Sequence, residues 1–291
     1  MNRIGFATSA RYRDLAPSDI VVAKLLRQRG RQVEPIVWTE TAPSEIKCDI
    51  VVIRSVWDYH LNAARFLAWV AAVADRAQVF NSPEIIRWNS DKRYLFDLEA
   101  AGLAVPRMEV LEQQSTVDVS RALHKHEFGK AVIKPVVSAS AFETYVADAE
   151  NALNLQPRIN QVLQSRTMLM QEFVSEILTE GEWSLMYFGG EYSHAVRKLA
   201  KAGDFRVQSD FGGSHRLETP GMSVRKVAQQ VVDRFGAETL YARIDIVEAT
   251  RSPLIMEVEL IDPELFLTVE PSGAERFANA LDRIAVRSPK N

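Results

Sequence analysis

The chain has 291 residues, of which 47% are hydrophobic and 25% are charged, and its net charge is −3. This length suits two or three packed subdomains, and the composition is typical of a soluble globular protein. No stretch approaches the ~18 consecutive apolar residues of a membrane span, and the balanced charge argues against a nucleic-acid-binding protein, which presents a basic stripe. Cys48 is the only cysteine, which argues against a disulfide framework or a cysteine-rich zinc site. We expect a cytoplasmic enzyme with no membrane or nucleic-acid partner.

The N-terminal third alternates predicted strands with predicted helices. Strands are expected at residues 2–7, 32–38 and 49–54, and helices at residues 18–29 and 61–76. The last of these strands is almost continuously apolar, which is typical of a strand buried on both faces. The alternation predicts a parallel sheet with helices on its faces. Asn81-Ser82-Pro83 is predicted to be a turn that starts a helix, so we place a domain boundary near residue 82.

The rest of the chain mixes helices with strands that are predicted to pair locally. Further helices are predicted at residues 91–101, 117–126, 148–164 and 273–286. Residues 182–197 are predicted to form a hairpin around Gly189-Gly190. Two more strands are predicted at residues 240–247 and 254–260.

The last two predicted strands carry an unusual density of acidic residues. Side chains alternate along a strand, so Glu257 and Glu259 share one face, as do Arg243 and Asp245. Pairing Asp245 with Glu257 places Arg243 opposite Glu259 and leaves a five-residue loop at 249–253. Three crowded carboxylates repel one another unless a positive charge sits among them, and hard oxygen ligands select Mg²⁺. The alternative is a solvated sheet face with charged residues on its wet side.

Three further segments have chemistry of lower specificity. Lys134 ends an apolar strand and suits a phosphate, although strand lysines often only reach solvent. The strand at 167–174 could offer its backbone to a purine edge, or it could be an ordinary core strand. A basic run ahead of Gly212-Gly213 could clamp a phosphoryl group, or it could be a solvated loop. That run consists of Arg197, Lys198, Lys201 and Arg206.

These segments, taken in order, resemble the ATP-grasp superfamily. The closer likeness is to its RimK and glutathione-synthetase-like branch, and within it to the group that includes the D-cycloserine-forming ligase. The matching phrases are Arg54-Ser55-Val56-Trp57-Asp58-Tyr59, Asp91-Lys92-Arg93-Tyr94-Leu95, Val132-Ile133-Lys134-Pro135, Ser193-His194-Ala195-Val196-Arg197-Lys198 and Met256-Glu257-Val258-Glu259-Leu260-Ile261-Asp262-Pro263. The resemblance implies an α/β (α+β) fold in which a Rossmann-like N-terminal domain precedes two α+β subdomains that hold ATP between them. The expected domains are residues 1–82, 83–174 and 175–291.

The resemblance also implies a set of site residues. ATP-binding residues would be Lys92, Lys134, Ser138, Gln171, Glu172, Phe173, Val174 and, for the ribose, Glu182, with Glu176 a weaker match. Two Mg²⁺ ions, or Mn²⁺ in their place, would be held by Asp245, Glu257 and Glu259. The catalytic cations would be Arg197 and Arg206. The substrate would contact Arg54, Ser55, Asp58, Tyr59, Gly212 and Gly213. For Arg54 the alternative is a structural pair with an aspartate at a domain junction.

Two departures from the family pattern stand out. The family's Glu-x-Asn motif ends in an asparagine, and this chain has Glu259 there. A third carboxylate adds charge, which should pull the metals tighter or demand a compensating cation such as Arg243. The phosphate-covering loop, glycine-rich in many relatives, is a Ser/Ala-rich stretch at 137–144, so its action as a lid is left open. Other residues are expected to have no role in the site: Trp57 should fill the N-terminal core, and His124, His126 and His215 should be surface or loop histidines. His194 is expected to be a core histidine, the alternative being that it lines the site.

The implied activity is ATP-dependent ligation of a small amino-acid-like carboxylate to an amine through an acyl phosphate. One alternative is a cyclising or amide-forming ligase that acts on a non-proteinogenic amino acid in specialised metabolism. Another is a nucleotide-binding module without catalysis. A dinucleotide-dependent oxidoreductase is disfavoured because Gly5-Phe6-Ala7-Thr8-Ser9-Ala10 lacks the Gly-x-Gly-x-x-Gly pattern. Family members with this architecture are often homodimers or tetramers, and we expect the same here.

Overall fold

The computed structural model describes residues 3–201, 203–204, 206–207 and 211–287. Its first sheet is parallel, with strands in the order β2-β1-β3-β4. The strands are β1 (Arg3–Thr8), β2 (Gln32–Val37), β3 (Ile50–Ser55) and β4 (Gln78–Phe80). Helices α1 (Pro17–Gln28) and α2 (Ala63–Ala74) complete this region. Every residue of β3 is buried, so the predicted parallel sheet and its fully buried strand are confirmed, and β4 is an addition to the prediction.

The second sheet is antiparallel, in the order β5-β8-β6-β7. Its strands are β5 (Met108–Leu111), β6 (Lys130–Pro135), β7 (Tyr145–Asp148) and β8 (Met168–Glu172). The helices of this region are α3 (Pro83–Asn89), α4 (Tyr94–Ala100), α5 (Val119–Lys125) and α6 (Ala152–Leu163). Ser82 caps α3 by accepting from the Ile85 amide at 3.4 Å, and Pro83 occupies the first turn, as the turn at 81–83 predicted.

The third sheet is also antiparallel, in the order β11-β10-β9-β12-β13. Its strands are β9 (Glu182–Phe188), β10 (Glu191–Leu199), β11 (Ser214–Leu217), β12 (Tyr241–Glu248) and β13 (Pro253–Glu259). Helices α7 (Met222–Val231) and α8 (Gly273–Arg287) pack with it. The predicted hairpin is confirmed, and Gly189 and Gly190 both take positive φ at its turn. Strand β11 and helix α7 are additions to the prediction.

The first and third sheets share one buried core. The Asn81 side chain donates to the carbonyls of Tyr241 at 3.0 Å and Leu260 at 2.6 Å and accepts from the Leu240 amide at 2.8 Å. Helix α8 packs against α1, and the Phe277 ring meets those of Phe6 and Tyr241. These contacts fix the carboxyl end of β13 against the N-terminal sheet. Across the described ranges, no helix has the length and apolar character needed to cross a bilayer.

Candidate active site

A cavity of about 750 Å³ is lined by residues of the two antiparallel sheets and by segments that follow strands of the parallel sheet. Its walls come from the loops after β1 and β3, the loop between β6 and β7, and the strands β9, β10, β12 and β13. A space of this size takes a nucleotide together with a small second ligand. The carboxylate-bearing strands lie on one wall, and the N-terminal sheet presents its strand ends to the cavity, as parallel sheets do at their binding sites.

The three predicted metal ligands meet in this cavity. Asp245, Glu257 and Glu259 each offer one oxygen, and these oxygens lie within 4.8 Å of one another. Asp245 pairs with Glu257 across the strands and Arg243 pairs with Glu259, which confirms the predicted register. A bulge beyond Asp245 leaves Met256 as an extra residue, so the connecting loop is shorter than expected by one residue.

Cations surround the carboxylates. Arg243 contacts Glu259 and donates from Nε to Asp245 at 3.0 Å; Lys198 and Lys92 reach Asp245 at 3.1 Å and Glu257 at 2.6 Å. Burial opposes ionisation of Asp245, but the charges of Arg243 and Lys198 have the larger combined effect and lower the pKa of this carboxyl to about 2. Burial raises the pKa of Glu259 to about 8, against the pull of Arg243 and with the help of Glu257.

The donor set fits a hard divalent cation. All three groups are carboxylates, the ligand type that Mg²⁺ takes in small numbers together with phosphate oxygens. A dication among them would also favour the ionised form of Glu259, which burial disfavours.

Five of the eight predicted ATP-binding residues line the cavity. These are Lys92, Lys134, Ser138, Gln171 and Glu182. Lys92 donates to the Ser138 carbonyl at 3.2 Å and also contacts Glu257, so the loop between β6 and β7 lies beside the three carboxylates. Burial lowers the pKa of Lys134 to about 8, and the charge of Lys92 adds to this effect.

The remaining three, Glu172, Phe173 and Val174, are not among the cavity-lining residues, and their contact with the nucleotide, predicted through the backbone of this strand, stays a prediction. Side chains alternate along β8, so Gln171 faces inward and Glu172 faces outward to Arg107 at 2.8 Å. The Glu172 and Phe173 amides donate to the carbonyls of Arg107 and Lys130, both at 2.9 Å. Those two amides are therefore engaged within the protein.

The predicted catalytic Arg197 lies on the face of β10 that points away from the cavity. Its guanidinium packs 5.3 Å from the Trp183 ring and pairs with Glu180 at 2.9 Å, away from the cavity. Its neighbour Lys198 points inward instead, where it contacts Glu182 as well as Asp245. Burial raises the pKa of Glu182 despite the opposing effect of Lys198. The inward cation of this strand is thus Lys198.

The glycine-flanked basic segment contributes less than predicted. Arg206 lines the cavity, but it pairs with Asp204 at 2.7 Å and lies 3.7 Å from the Phe211 ring centre. Gly212 and Gly213 are not among the cavity-lining residues, and Gly212 packs beside Lys201 with φ of +82°. Within the described residues nothing places these two glycines at the cavity, so their substrate contact stays a prediction.

The predicted substrate residues divide in the same way. Asp58 and Tyr59 line the cavity, whereas Arg54 and Ser55 are buried behind it. Arg54 Nε donates to Asp19 at 2.8 Å, and Ser55 also contacts that carboxylate. The direct substrate contact predicted for Arg54 and Ser55 is corrected, because the partner of Arg54 is an internal aspartate, as in the structural alternative.

Several cavity-lining residues were not predicted as site residues. Among them are Tyr12, Trp57, His60, His215 and Asp262, whereas Lys198 was named only as a member of the basic run. Trp57 was expected in the core, but it comes directly after β3, where parallel strands end at their binding edge. Asp262 was included in a matching phrase without being given a role. His194 is structural, as expected: its Nε2 donates to the Leu265 carbonyl at 3.0 Å and Nδ1 accepts from Ser193 at 2.8 Å.

Comparisons with known proteins agree with this architecture. Residues 4–81 match the family described as D-cycloserine synthetase DcsG, N-terminal domain, and residues 104–271 match the prokaryotic glutathione synthetase ATP-grasp domain. The chain is 29% identical over 272 residues to the cycloserine biosynthesis protein DcsG of Streptomyces lavendulae, covering 88% of this chain and 89% of that protein. It is 34% identical over 92 residues to the ribosomal protein bS6–L-glutamate ligase of Salmonella paratyphi B, which is 31% of this chain and 29% of that ligase.

Solved structures extend the agreement over nearly the whole chain. The crystal structure of D-cycloserine synthetase DcsG superimposes with a TM-score of 0.84 at 27% identity, covering 97% of this chain and 99% of that one. D-alanine–D-alanine ligase from Bacillus anthracis complexed with ATP gives 0.70 at 12% identity, covering 99% and 98%, and supports the fold alone. The chain belongs to the ATP-grasp superfamily, and it is an ATP-grasp ligase that forms a C–N bond with release of ADP.

Proposed function

We propose that this ligase uses ATP and Mg²⁺ to convert the carboxylate of a small amino-acid-like substrate into an acyl phosphate, which an amine then attacks. The observation that carries the proposal is the set of three carboxylates at one wall of the cavity, interleaved with Lys92, Lys198 and Arg243. Phosphoryl transfer requires positioning and charge neutralisation more than covalent help from the protein, and this wall supplies both signs of charge.

The nucleotide would lie between the second and third sheets. Lys92 and Lys134 would contact its phosphates, Ser138 would offer the loop that covers them, and Glu182 would accept from the ribose. Gln171 supports the adenine end, because its buried Oε1 has no hydrogen-bond partner within the described residues. Gln171 and Glu182 both line the cavity, so each would be available to the nucleotide as a polar partner.

Asp245, Glu257 and Glu259 would hold one or two Mg²⁺ ions, and Mn²⁺ has the same ligand preference. When bound, the metal would neutralise charge on the transferring phosphoryl group. Lys198 and Arg243 already touch the metal carboxylates, so they are positioned to stabilise negative charge that develops beside them. Arg206 lies at the cavity wall and would close the phosphate end.

The two steps balance without a further reactant. A carboxylate oxygen of the substrate attacks the γ-phosphorus, and the bond to the β-phosphate oxygen breaks to release ADP. The amine nitrogen then attacks the acyl carbon, the bond from that carbon to the phosphate oxygen breaks, and the nitrogen loses a proton. Asp58 and Tyr59 lie on the cavity wall that faces the metal ligands from the N-terminal sheet, so they would contact the organic substrate.

A second candidate is the intramolecular version of the same chemistry, in which amine and carboxyl groups belong to one non-proteinogenic amino acid and a ring closes. Similarity to the cycloserine biosynthesis protein over 88% of the chain favours it. We also propose that residues 1–82 supply the substrate side, that residues 83–174 and 175–291 hold the nucleotide, and that the enzyme works in the cytoplasm as a homodimer or tetramer.

The acyl-phosphate step is tested by following the transfer of a carboxyl oxygen from the substrate into inorganic phosphate. Candidate amino acids labelled with ¹⁸O in the carboxyl group are incubated with ATP, Mg²⁺ and hydroxylamine as a small amine. The proposal expects one labelled oxygen in the inorganic phosphate for each ADP released, because the carbon–oxygen bond of the acyl phosphate breaks. Unlabelled phosphate released together with amide product would contradict the acyl-phosphate step.

A further inference from the structure

Asp262 follows β13 and is held in place by its neighbours. The Trp57 indole donates to the Asp262 carbonyl at 2.7 Å. On either side, Tyr241 donates to the Ile261 carbonyl at 2.7 Å and Arg54 donates to the Pro263 carbonyl at 2.8 Å. These three donors fix the backbone, so the Asp262 side chain is preorganised where it lines the cavity.

The Asp262 carboxylate is buried without a full set of partners. The residue is 8% exposed, and its Oδ2 has no hydrogen-bond partner within the described residues. Three cations influence it electrostatically, and each is ion-paired with another acid: Arg54 with Asp19, Arg243 with Asp245 and Glu259, and Lys92 with Glu257. Burial raises the pKa of this carboxyl to about 7. A buried acidic group left in this state calls for an external partner.

Aromatic residues line the cavity in the neighbourhood of Asp262. Trp57 contacts the Asp262 backbone, and its ring meets that of Tyr12 at 5.0 Å between centroids. The pKa of Tyr59 is raised chiefly by burial, and the next largest contribution is the negative charge of Asp262. All three aromatic residues line the cavity. A carboxylate beside aromatic faces attracts an ammonium group, by charge and by cation–π contact, and repels a second carboxylate.

We propose that Asp262 is a specificity-determining residue that binds the ammonium group of the substrate against Trp57 and Tyr59. The inference rests on the proposed function and names its substrate class: a carboxylic acid that also carries a primary amine. The acyl end of such a molecule would then lie toward Glu257 and Glu259, which are on the strand that leads into Asp262.

The test compares 2-amino acids with the 2-hydroxy acids of the same shape. D-alanine and D-lactate, and D-serine and D-glycerate, serve as probes for ADP release with ATP, Mg²⁺ and hydroxylamine. Asp262→Asn keeps the size and removes the charge, and Asp262→Glu keeps the charge. Asp97→Asn is the matched control, because Asp97 accepts from the Trp88 indole at 2.7 Å and does not line the cavity. ATP binding is measured separately by calorimetry.

Losing one partner of a buried ion pair costs about 2 kcal/mol or more, so Asp262→Asn should raise the KM of the amino acid about thirtyfold and abolish its preference over the hydroxy acid. ATP affinity and thermal stability should not fall, and Asp262→Glu should recover part of the preference. Equal use of amino and hydroxy acids by the wild-type enzyme would overturn the proposal. So would an unchanged preference in Asp262→Asn, or a lowered Tm with unchanged KM, which would indicate a structural water bridge to Arg54. Absence of ATP binding in the wild type would overturn the ligase account itself, and this proposal with it.

Discussion

The ammonium nitrogen of Lys198 lies 3.1 Å from a carboxylate oxygen of Asp245 and also contacts Glu182. One side chain therefore connects the acid proposed for the ribose with an acid proposed for the metal. Its strand neighbour Arg197 lies on the opposite face and pairs with Glu180. Because the two neighbouring cations lie on opposite faces of β10, variants of each can be compared directly.

Replacing Lys198 by Met should lower ADP release by about 10²–10³, because a preorganised cation near the transferring phosphoryl group is lost. Lys198→Arg should retain more activity, since it keeps the charge that separates Glu182 from Asp245. Arg197→Met removes an equally long cation from the outer face and should leave turnover within about threefold of wild type. Initial rates and thermal unfolding of the three variants are the measurements. Equal losses in Arg197→Met and Lys198→Met would show that the face assignment is wrong.

The proposed metal site is tested by replacing its carboxylates with uncharged side chains of the same size. Glu257→Gln and Asp245→Asn should fold and lose ATP turnover by about 10² or more, because the metal loses a charged ligand. Glu248→Gln is the control: Glu248 is on β12, accepts from the Trp183 indole at 2.8 Å and does not line the cavity. A chelator should stop wild-type turnover and added Mg²⁺ should restore it. Full activity in Glu257→Gln would remove this residue from the metal site.

Arg54 is expected to contribute to folding and to make no direct contact with the substrate. Its guanidinium is 2% exposed and pairs with Asp19, which is equally buried. Arg54→Met leaves that carboxylate buried without its cation and should lower the free energy of unfolding by about 3–5 kcal/mol. Adding Asp19→Asn should recover part of the loss. Denaturant unfolding is the measurement, and a fully stable Arg54→Met enzyme with a raised substrate KM would restore the direct role.

His194 should make stability depend on pH. Burial lowers the pKa of this imidazole from 6.5 to about 4, so the unfolded chain binds a proton that the folded chain resists. Stability is therefore complete above pH 6.5 and falls as the pH drops toward 4, by up to roughly 3 kcal/mol. His194→Gln can keep the contacts to Ser193 and Leu265 without titrating. Its unfolding free energy, followed across this window, should decline less than that of wild type, and parallel curves would contradict the assignment.

The register of the two acidic strands could be predicted from the sequence because charge alternates along both of them. Matching Arg243 to Glu259 and Asp245 to Glu257 leaves one consistent pairing, and the structure has it. The one-residue error in the loop comes from the bulge at Met256. Such a bulge inserts a residue without leaving a pattern in the amino-acid sequence.

A bulge also explains why Lys198 faces the cavity in place of the predicted Arg197. A regular hairpin counted from the Gly189-Gly190 turn would place Arg197 opposite Glu182. The register shifts between Tyr192 and His194, so Lys198 takes that position instead. One inserted residue turns every later side chain to the other face of the strand. The family resemblance identified the basic segment, but only the geometry of the strand decides which cation faces the cavity.

Arg54 and Asp262 were beyond sequence reasoning for a different reason. Arg54 is 35 residues from its partner Asp19, with strand β2 between them, and no local pattern links the two residues. The Asp262 segment depends on Trp57, Arg54 and Tyr241, which approach it from two sheets. Long-range packing of this kind positions the side chains that would distinguish one substrate from another.

The most direct test of the central claim is ADP release by the wild-type chain and Glu257→Gln, measured with ATP, with and without Mg²⁺, over a panel of amino acids and amines. The account predicts Mg²⁺-dependent release that one acid–amine combination stimulates, together with an amide or cyclic product in equal amount, and near-complete loss in Glu257→Gln. Release that is independent of Mg²⁺, or equally fast in Glu257→Gln, would contradict a metal-assisted ligase at this cavity.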